Sequence, residues 1–343
     1  MYQHVRDALP EASVLKLGVT WPLPAKKLSQ FAASVKDCYV VEEGSTYLSE
    51  AVRAAGIALS QPANPLPRDG ELSPGLIRQA FGLELPSHAA AAPDIPARPP
   101  ALCPGCPHRL VFKELSRARA IVTGDIGCYT LGALPPLSAM DTCVDMGASV
   151  SMAHGMEIGF GEETHRPIAA VIGDSTFGHS GLSSLVSTVY NRGKGVVCVL
   201  DNRTTAMTGR QGNPFNGETL QGRESREMDL EGIVRALGVE DVRVIDPHNA
   251  LEVRQNLKSA FASDELSVLI FRAPCVLLTR QVEPVFEVSP KCTGCGVCAT
   301  LVCPAIARDP EIGLASIDAT LCIGCGQCAQ YCGFGAIARE GGR

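Results

Sequence analysis

Apolar and polar positions divide the chain into stretches of different texture. From residue 102 to about 283, short apolar runs alternate with longer amphipathic ones. Ile121-Val-Thr-Gly, Ile168-Ala-Ala-Val-Ile, Val196-Val-Cys-Val-Leu, Val242-Arg-Val-Ile and Val268-Leu-Ile-Phe read as strands. Segments near 147–160, 181–192, 229–237 and 248–262 have the spacing of helices. Runs apolar on both faces suit a buried parallel sheet with helices on either side, an α/β domain. Ligands of such sheets collect beyond the carboxyl ends of the strands, so the loops after residues 124, 172 and 200 are where chemistry is expected.

The flanking stretches differ. Residues 1–58 read as a partial α/β domain: Val14-Leu-Lys-Leu-Gly-Val-Thr is strand-like, 24–36 fits a helix, and Cys38-Tyr-Val-Val-Glu-Glu is strand-like again. Fewer than 60 residues is small for an independent α/β core, which predicts part of a larger fold. Glu42 and Glu43, at a strand end, are expected to be solvated. Residues 59–101 are rich in Pro and Ala and predict a semi-extended connector with one short helix near 74–82. The last stretch, 284–343, contains an internal repeat. Lys291-Cys-Thr-Gly-Cys-Gly-Val-Cys returns as Leu321-Cys-Ile-Gly-Cys-Gly-Gln-Cys, and the copies end alike in Pro304-Ala-Ile-Ala and Gly335-Ala-Ile-Ala.

Composition narrows the picture. Of 343 residues, 45% are hydrophobic and 19% charged, with a formal net charge of −6. That balance gives no basic stripe for a nucleic acid. No run approaches the roughly 18 apolar residues of a membrane span, and the start lacks the layout of a secretory signal. A cytoplasmic protein is the expectation. The informative count is fifteen cysteines, eight of them between Cys292 and Cys332. In a reducing compartment such spacing points to metal or cluster ligation, not disulfides.

Two-cluster bacterial ferredoxins hold each [4Fe–4S] cluster with three cysteines of one C-x2-C-x2-C run and a distant fourth. The runs here are Cys292, Cys295, Cys298 and Cys322, Cys325, Cys328. By the crossover rule Cys332 completes the first cluster and Cys303 the second. Zinc also uses C-x2-C pairs, but two triple runs with a trailing cysteine each fit it poorly. Two details depart from the common pattern: four residues, not three, precede Cys303, and Gly rather than Pro follows Cys332.

The α/β region carries a second chemistry. Gly173-Asp-Ser follows one predicted strand and Asp201-Asn-Arg-Thr the next. Two strand ends that each present a hard oxygen ligand suit Mg²⁺ held against a diphosphate. Asp174 would bind through its carboxylate, Asn202 through its side-chain carbonyl and Thr204 through its backbone carbonyl. Gly173, Ser175 and Thr176 belong to the same candidate site, and the helix expected to begin near Gly181 would add its positive N-terminal end to the phosphate. Strand-end Asp and Asn are common turn residues, so the context of both motif halves carries the reading.

With these motifs in place, the chain resembles the large (alpha) subunit of indolepyruvate:ferredoxin oxidoreductase, a 2-oxoacid:ferredoxin oxidoreductase. The resemblance rests on Gly173-Asp-Ser-Thr-Phe-Gly-His-Ser-Gly, Val189-Tyr-Asn, Leu200-Asp-Asn-Arg-Thr-Thr-Ala-Met-Thr-Gly, Cys103-Pro-Gly-Cys-Pro-His-Arg, Val40-Val-Glu-Glu-Gly and the cluster module. It covers essentially the whole chain but only the C-terminal part of the family's subunit. It implies oxidative decarboxylation of aryl 2-oxoacids to the aryl-acetyl-CoA, with thiamine diphosphate and Mg²⁺ as cofactors and ferredoxin as electron acceptor. It implies further partners: a second (beta) subunit, and a chain or segment supplying the pyrimidine-binding domain, without which the chain is expected to be inactive.

The resemblance also implies a third [4Fe–4S] cluster on Cys103, Cys106, Cys128 and Cys275; buried free thiols are the alternative. His108 and His179 are candidate contacts for substrate or cofactor, against an ordinary structural role. Cys38, Cys143 and Cys198 are expected in the core. Two further functions stay open, the same chemistry on pyruvate or a branched oxoacid, and a non-catalytic iron–sulfur electron carrier.

Overall fold

The computed structural model describes residues 1–85, 99–278, 283–339 and 341. It divides into two compact units, Met1–Ala97 and Arg98–Arg343. The described residues contain no helix long and apolar enough to cross a membrane.

The first unit is helical: α1 (Tyr2–Ala8), α2 (Ala25–Ala33), α3 (Tyr47–Ala54) and α4 (Pro74–Ala80). Its core joins Val5 and Ala8 of α1 to Ile77 of α4. The expected connector therefore begins inside a folded unit, with its helix at Pro74–Ala80 started by Ser73, whose hydroxyl accepts the Leu76 N–H. The Ala- and Pro-rich run 86–98 lies outside the described residues. Val14–Thr20 and Cys38–Glu43 form no strand and join no ladder among the described residues. Their apolar alternation signals a pleated surface, and a strand also needs a neighbour, which a pattern does not supply. Nor are Glu42 and Glu43 idle. Glu42 accepts the Leu48 and Ser49 N–H groups at the start of α3, at 2.6 and 3.0 Å. Glu43 accepts the Leu72 N–H at 2.7 Å.

The second unit opens with α5 (His108–Ala118) and β1 (Ile121–Gly124), followed by β2 (Thr142–Cys143), α6 (Ala148–Phe160) and β3 (Ile168–Gly173). Two helical segments, α7 (Asp174–Thr176) and α8 (Leu182–Tyr190), flank a wide π turn over Phe177–Gly181. Then come β4 (Val196–Asp201), α9 (Leu230–Ala236), β5 (Asp241–Ile245), α10 (Ala250–Phe261) and β6 (Ser267–Arg272). All six strands are parallel, in the order β2-β1-β3-β4-β6-β5.

Successive residues of a strand point to opposite faces, and here both faces are buried. Cys198, Leu200 and Leu269 pack with Phe112 and Leu115 of α5 and Val253 and Leu257 of α10. Val197, Val199 and Ile270 pack on the other side with Val150, Leu185 and Val234 of α6, α8 and α9. Burying each such side chain contributes about 1.5–3 kcal/mol. This is the sheet the apolar runs predict, except that α5 and the two-residue β2 gave no signal.

A smaller module follows. β7 (Phe286–Val288) pairs antiparallel with β10 (Ile337–Arg339), and β8 (Ile306–Arg308) with β9 (Ala315–Ile317). The two repeated Ala-Ile-Ala tails become β8 and β10. This module shares a core with the α/β domain, in which Leu110 of α5 and Ala250 of α10 meet Cys298, Leu301 and Ile337. A polar tie reinforces it. Buried Glu114 of α5 accepts two hydrogen bonds from Arg254 of α10, at 2.8 and 3.0 Å, and one from the Tyr331 hydroxyl.

Candidate functional site

The register of the sheet sets the site. Gly173 pairs with Leu200, and Asp201 with Arg272, so β3, β4 and β6 end at one edge. Asp174, Asn202 and Cys275 leave from that edge. The Cys275 N–H donates to the Asn202 carbonyl at 2.9 Å, fixing the two loops together.

Asp174 is buried, and its carboxylate accepts one side-chain hydrogen bond, from Asn213 Nδ2 at 3.0 Å. Burial pushes its carboxyl up to about 7, against that hydrogen bond, and the nearby Asp201 charge adds to the rise. Asp201 itself is engaged by Arg272 at 2.6 Å. A divalent cation beside Asp174 would favour its charged form instead. Asn202 is oriented on both ends of its amide. Its Oδ1 accepts the Thr204 N–H at 3.2 Å, and its Nδ2 donates to His108 Nε2 at 3.3 Å. Accepting through Nε2 requires the neutral ring, and burial, aided by His248, lowers the His108 pKa to about 4. The donor set of a carboxylate, an amide oxygen and backbone fits a hard cation. Ser175 accepts the Thr205 hydroxyl at 2.7 Å, tying the two turns.

Tyr129 roofs this edge. A Cβ on Gly173 would come within 2.9 Å of its ring, and the ring lies edge-on to His108 with centroids 6.2 Å apart. Only glycine at 173 therefore lets the ring rest on the turn. Behind it, Asp125, wholly buried after β1, accepts the Ser149 N–H and hydroxyl, both at 2.9 Å, and holds the start of α6. Neither Tyr129, Asp125 nor Asn213 carries a motif signature. The Asp125 position, directly after a predicted strand, was the only cue. His179, by contrast, is exposed in the π turn and makes no side-chain hydrogen bond among the described residues.

The cysteines fall into three groups. Burial raises the Cys325 thiol, with Cys303 and Cys322 adding, and raises Cys328 to about 12, with Cys325, Cys303 and Cys322 adding. These four line one cavity, so Cys303 stands with the distant run. Burial likewise raises Cys298, with Cys292 and Cys295 adding. Cys332 Sγ accepts the Ala336 N–H at 3.2 Å. The third group comprises Cys103, Cys106, Cys128 and Cys275. Burial pushes Cys106 up to about 12, with Cys103 and Cys128 contributing, and raises Cys128, with Cys103 and Cys275 contributing. Among the described residues no three His, Cys, Asp or Glu side chains converge closely enough to hold a single ion. Of the three cysteines expected in the core, Cys198 is buried, Cys38 is half-buried and Cys143 is exposed on the edge strand β2. A strand with a neighbour on one side only leaves such a residue open.

The third group adjoins the set of Cys303, Cys322, Cys325 and Cys328. Gly105, at φ +69°, packs so closely that a Cβ would lie 2.2 Å from Ile323 Cδ1. Gln327, buried between Cys325 and Cys328, donates to the Cys106 carbonyl at 3.1 Å and meets His248 Nδ1 at 2.9 Å.

Residues 125–271 match the thiamine pyrophosphate enzyme family's C-terminal TPP-binding domain. Residues 315–338 match the 4Fe-4S binding domain. Fold and site together thus define a thiamine diphosphate-binding α/β domain joined to a ferredoxin-like module. The curated relatives are indolepyruvate oxidoreductase subunits IorA. The chain is 39% identical to that of Pyrococcus abyssi over 99% of its own length and 59% of the relative's. It is 38% identical to those of Thermococcus kodakarensis and Methanothermobacter marburgensis, over 98% and 100% of its length and 59% of theirs. The chain is related to these subunits and spans about six-tenths of their length.

Proposed function

We propose that the chain forms the diphosphate-binding and electron-carrying part of an indolepyruvate:ferredoxin oxidoreductase, active on aryl 2-oxoacids with CoA and ferredoxin. The observation that carries the reading is the shared sheet edge, where Asn202 and Cys275 are joined backbone to backbone. A cofactor held at the β3 and β4 ends there stands beside a cysteine set that leads to the cluster module.

In this reading residues 102–283 bind thiamine diphosphate and residues 284–343 bind two [4Fe–4S] clusters. Asp174, Asn202 and Thr204 hold Mg²⁺, while Gly173, Ser175 and Thr176 face the diphosphate. Cys292, Cys295, Cys298 and Cys332 hold one cluster, Cys303, Cys322, Cys325 and Cys328 the other. Cys103, Cys106, Cys128 and Cys275 hold a third. Bound thiamine diphosphate supplies an electron sink that allows a 2-oxoacid to lose carbon dioxide. The protein's own residues do the rest. Asn213 aims the Asp174 carboxylate, and neutral His108 fixes the Asn202 amide so that its oxygen, beside the Thr204 N–H it accepts, keeps a lone pair for the metal. Tyr129 and the apolar strand ends exclude water. Clusters take electrons singly, so several in one chain let a two-electron oxidation proceed stepwise. His108 is a positioning residue, and the exposed His179 has no hydrogen-bond partner among the described residues that supports a role at the metal.

Activity needs the pyrimidine-binding domain and the second subunit in addition. The test is an anaerobic assay of the assembled enzyme with CoA and ferredoxin on indolepyruvate, phenylpyruvate and pyruvate. The reading requires the aryl substrates to give the higher kcat/KM. A preference for pyruvate would move the function to another 2-oxoacid, and no ferredoxin reduction with any of them would reject it.

A further inference from the structure

Arg109 is the second residue of α5 and is 1% exposed. One Nη donates to the Leu301 carbonyl, the other to the carbonyls of Leu102 and Cys103, both at 2.7 Å. Its Nε has no hydrogen-bond partner, and it enters no ion pair among the described residues. A guanidinium taken out of water with only carbonyl dipoles around it is strongly destabilising unless an anion compensates it.

The surroundings name the anion. Arg109 lines the cavity shared by Cys303, Cys322, Cys325 and Cys328, and among the described residues it is the one Lys, Arg, Asp or Glu to do so. A second buried orphan atom, Gln327 Oε1, belongs to the same lining. A [4Fe–4S] cube with four thiolates is net negative and gains one more negative charge on accepting an electron. A fixed buried cation therefore stabilises the reduced state more than the oxidised one. The other cysteine run has a different cation. Arg308 donates to the Gly294 and Gly313 carbonyls at 3.1 and 3.0 Å, but it is exposed. Water and salt screen an exposed charge, while a buried one keeps most of its field.

We propose that Arg109 is the built-in counter-charge of the cluster on Cys303, Cys322, Cys325 and Cys328, and makes it the more easily reduced of the ferredoxin pair. The inference rests on the two-cluster reading above. An electron arriving from the Cys103–Cys106 side then meets first the cluster that holds it better. The cluster nearer Arg308 acts as the lower-potential site.

The test is a redox titration of the full chain, its clusters assembled anaerobically and followed by electron paramagnetic resonance. Cys295→Ser, which alters only the first cluster's signal, assigns the two. Wild type should reduce the second cluster at the higher potential. Arg109→Met should lower the reduced-to-oxidised ratio of that cluster at least tenfold at the wild-type midpoint, about 59 mV for one electron, and shift the first cluster far less. Arg109→Lys should retain most of the wild-type potential, and Arg308→Met should move neither cluster tenfold. With both clusters formed, an unshifted second cluster in Arg109→Met overturns the proposal. If that variant fails to assemble, the wild-type order decides, and earlier reduction of the first cluster overturns it. A wild-type chain that takes up iron and sulfide at no site defeats the cluster reading itself.

Discussion

The Asp174–Asn202 pair is oriented by residues that neither motif half contains. Asn213 supplies the hydrogen bond that orients Asp174, and His108 accepts from Asn202. Groups that orient metal ligands commonly govern 10–100-fold in affinity. Asn213→Ala should therefore weaken Mg²⁺–thiamine diphosphate binding to the assembled enzyme by about that factor, measured calorimetrically; unchanged affinity would remove Asn213 from the site. The positions of Asp174 and Asn202 were legible in the sequence because each follows an apolar run of buried-strand type after one intervening residue. Asn213 was not. It returns to the site through an irregular stretch between β4 and α9, and no local pattern records such a return. His108 was singled out beside the Cys103–Cys106 run, but its pairing with Asn202, 94 positions away, was not legible.

Among the elements, the strands and helices of the α/β domain were readable within a few residues, because burial on both faces imposes a continuous apolar signature. Reading failed where an element depends on a neighbour. The runs 14–20 and 38–43 have strand-like patterns without a ladder, and α5 begins behind Pro107 with no side-chain cap. The packed elements give a direct check. Leu185 of α8 is fully buried against the sheet, whereas Val186 beside it is 47% exposed. Leu185→Ala should cost about 3 kcal/mol and Val186→Ala within about 0.5 kcal/mol, read from urea unfolding midpoints. Equal effects would contradict the face assignment.

For the whole second unit, the question is what joins the sheet to the cluster module. Glu114 does so through Arg254 and Tyr331. Burial pushes its carboxyl up, but the hydrogen bonds from Arg254 and Tyr331 and the Arg254 charge outweigh that and hold it below the usual carboxylate range. A group depressed in the folded state stabilises fully above its unfolded pKa, and the contribution is lost as pH falls through the folded one. Glu114→Gln should cost about 2 kcal/mol at neutral pH, and the gap to wild type should close as the pH is lowered through the acid range. A constant gap would show that the charge is immaterial. The third cysteine group is tested by iron content. About twelve irons per chain, falling to about eight in Cys275→Ser, are expected from four irons per cluster. About eight in both would make Cys275 a buried thiol only.

These scales meet in one claim, that chemistry at the Asp174–Asn202 edge delivers electrons to the chain's own clusters. The direct measurement is electron paramagnetic resonance of the assembled enzyme, frozen after anaerobic addition of indolepyruvate with thiamine diphosphate and Mg²⁺ but no ferredoxin. Wild type should develop the signal of reduced [4Fe–4S] clusters, and Asp174→Ala, with its clusters intact, should not. Clusters that stay oxidised in wild type, or become equally reduced in Asp174→Ala, would contradict the account.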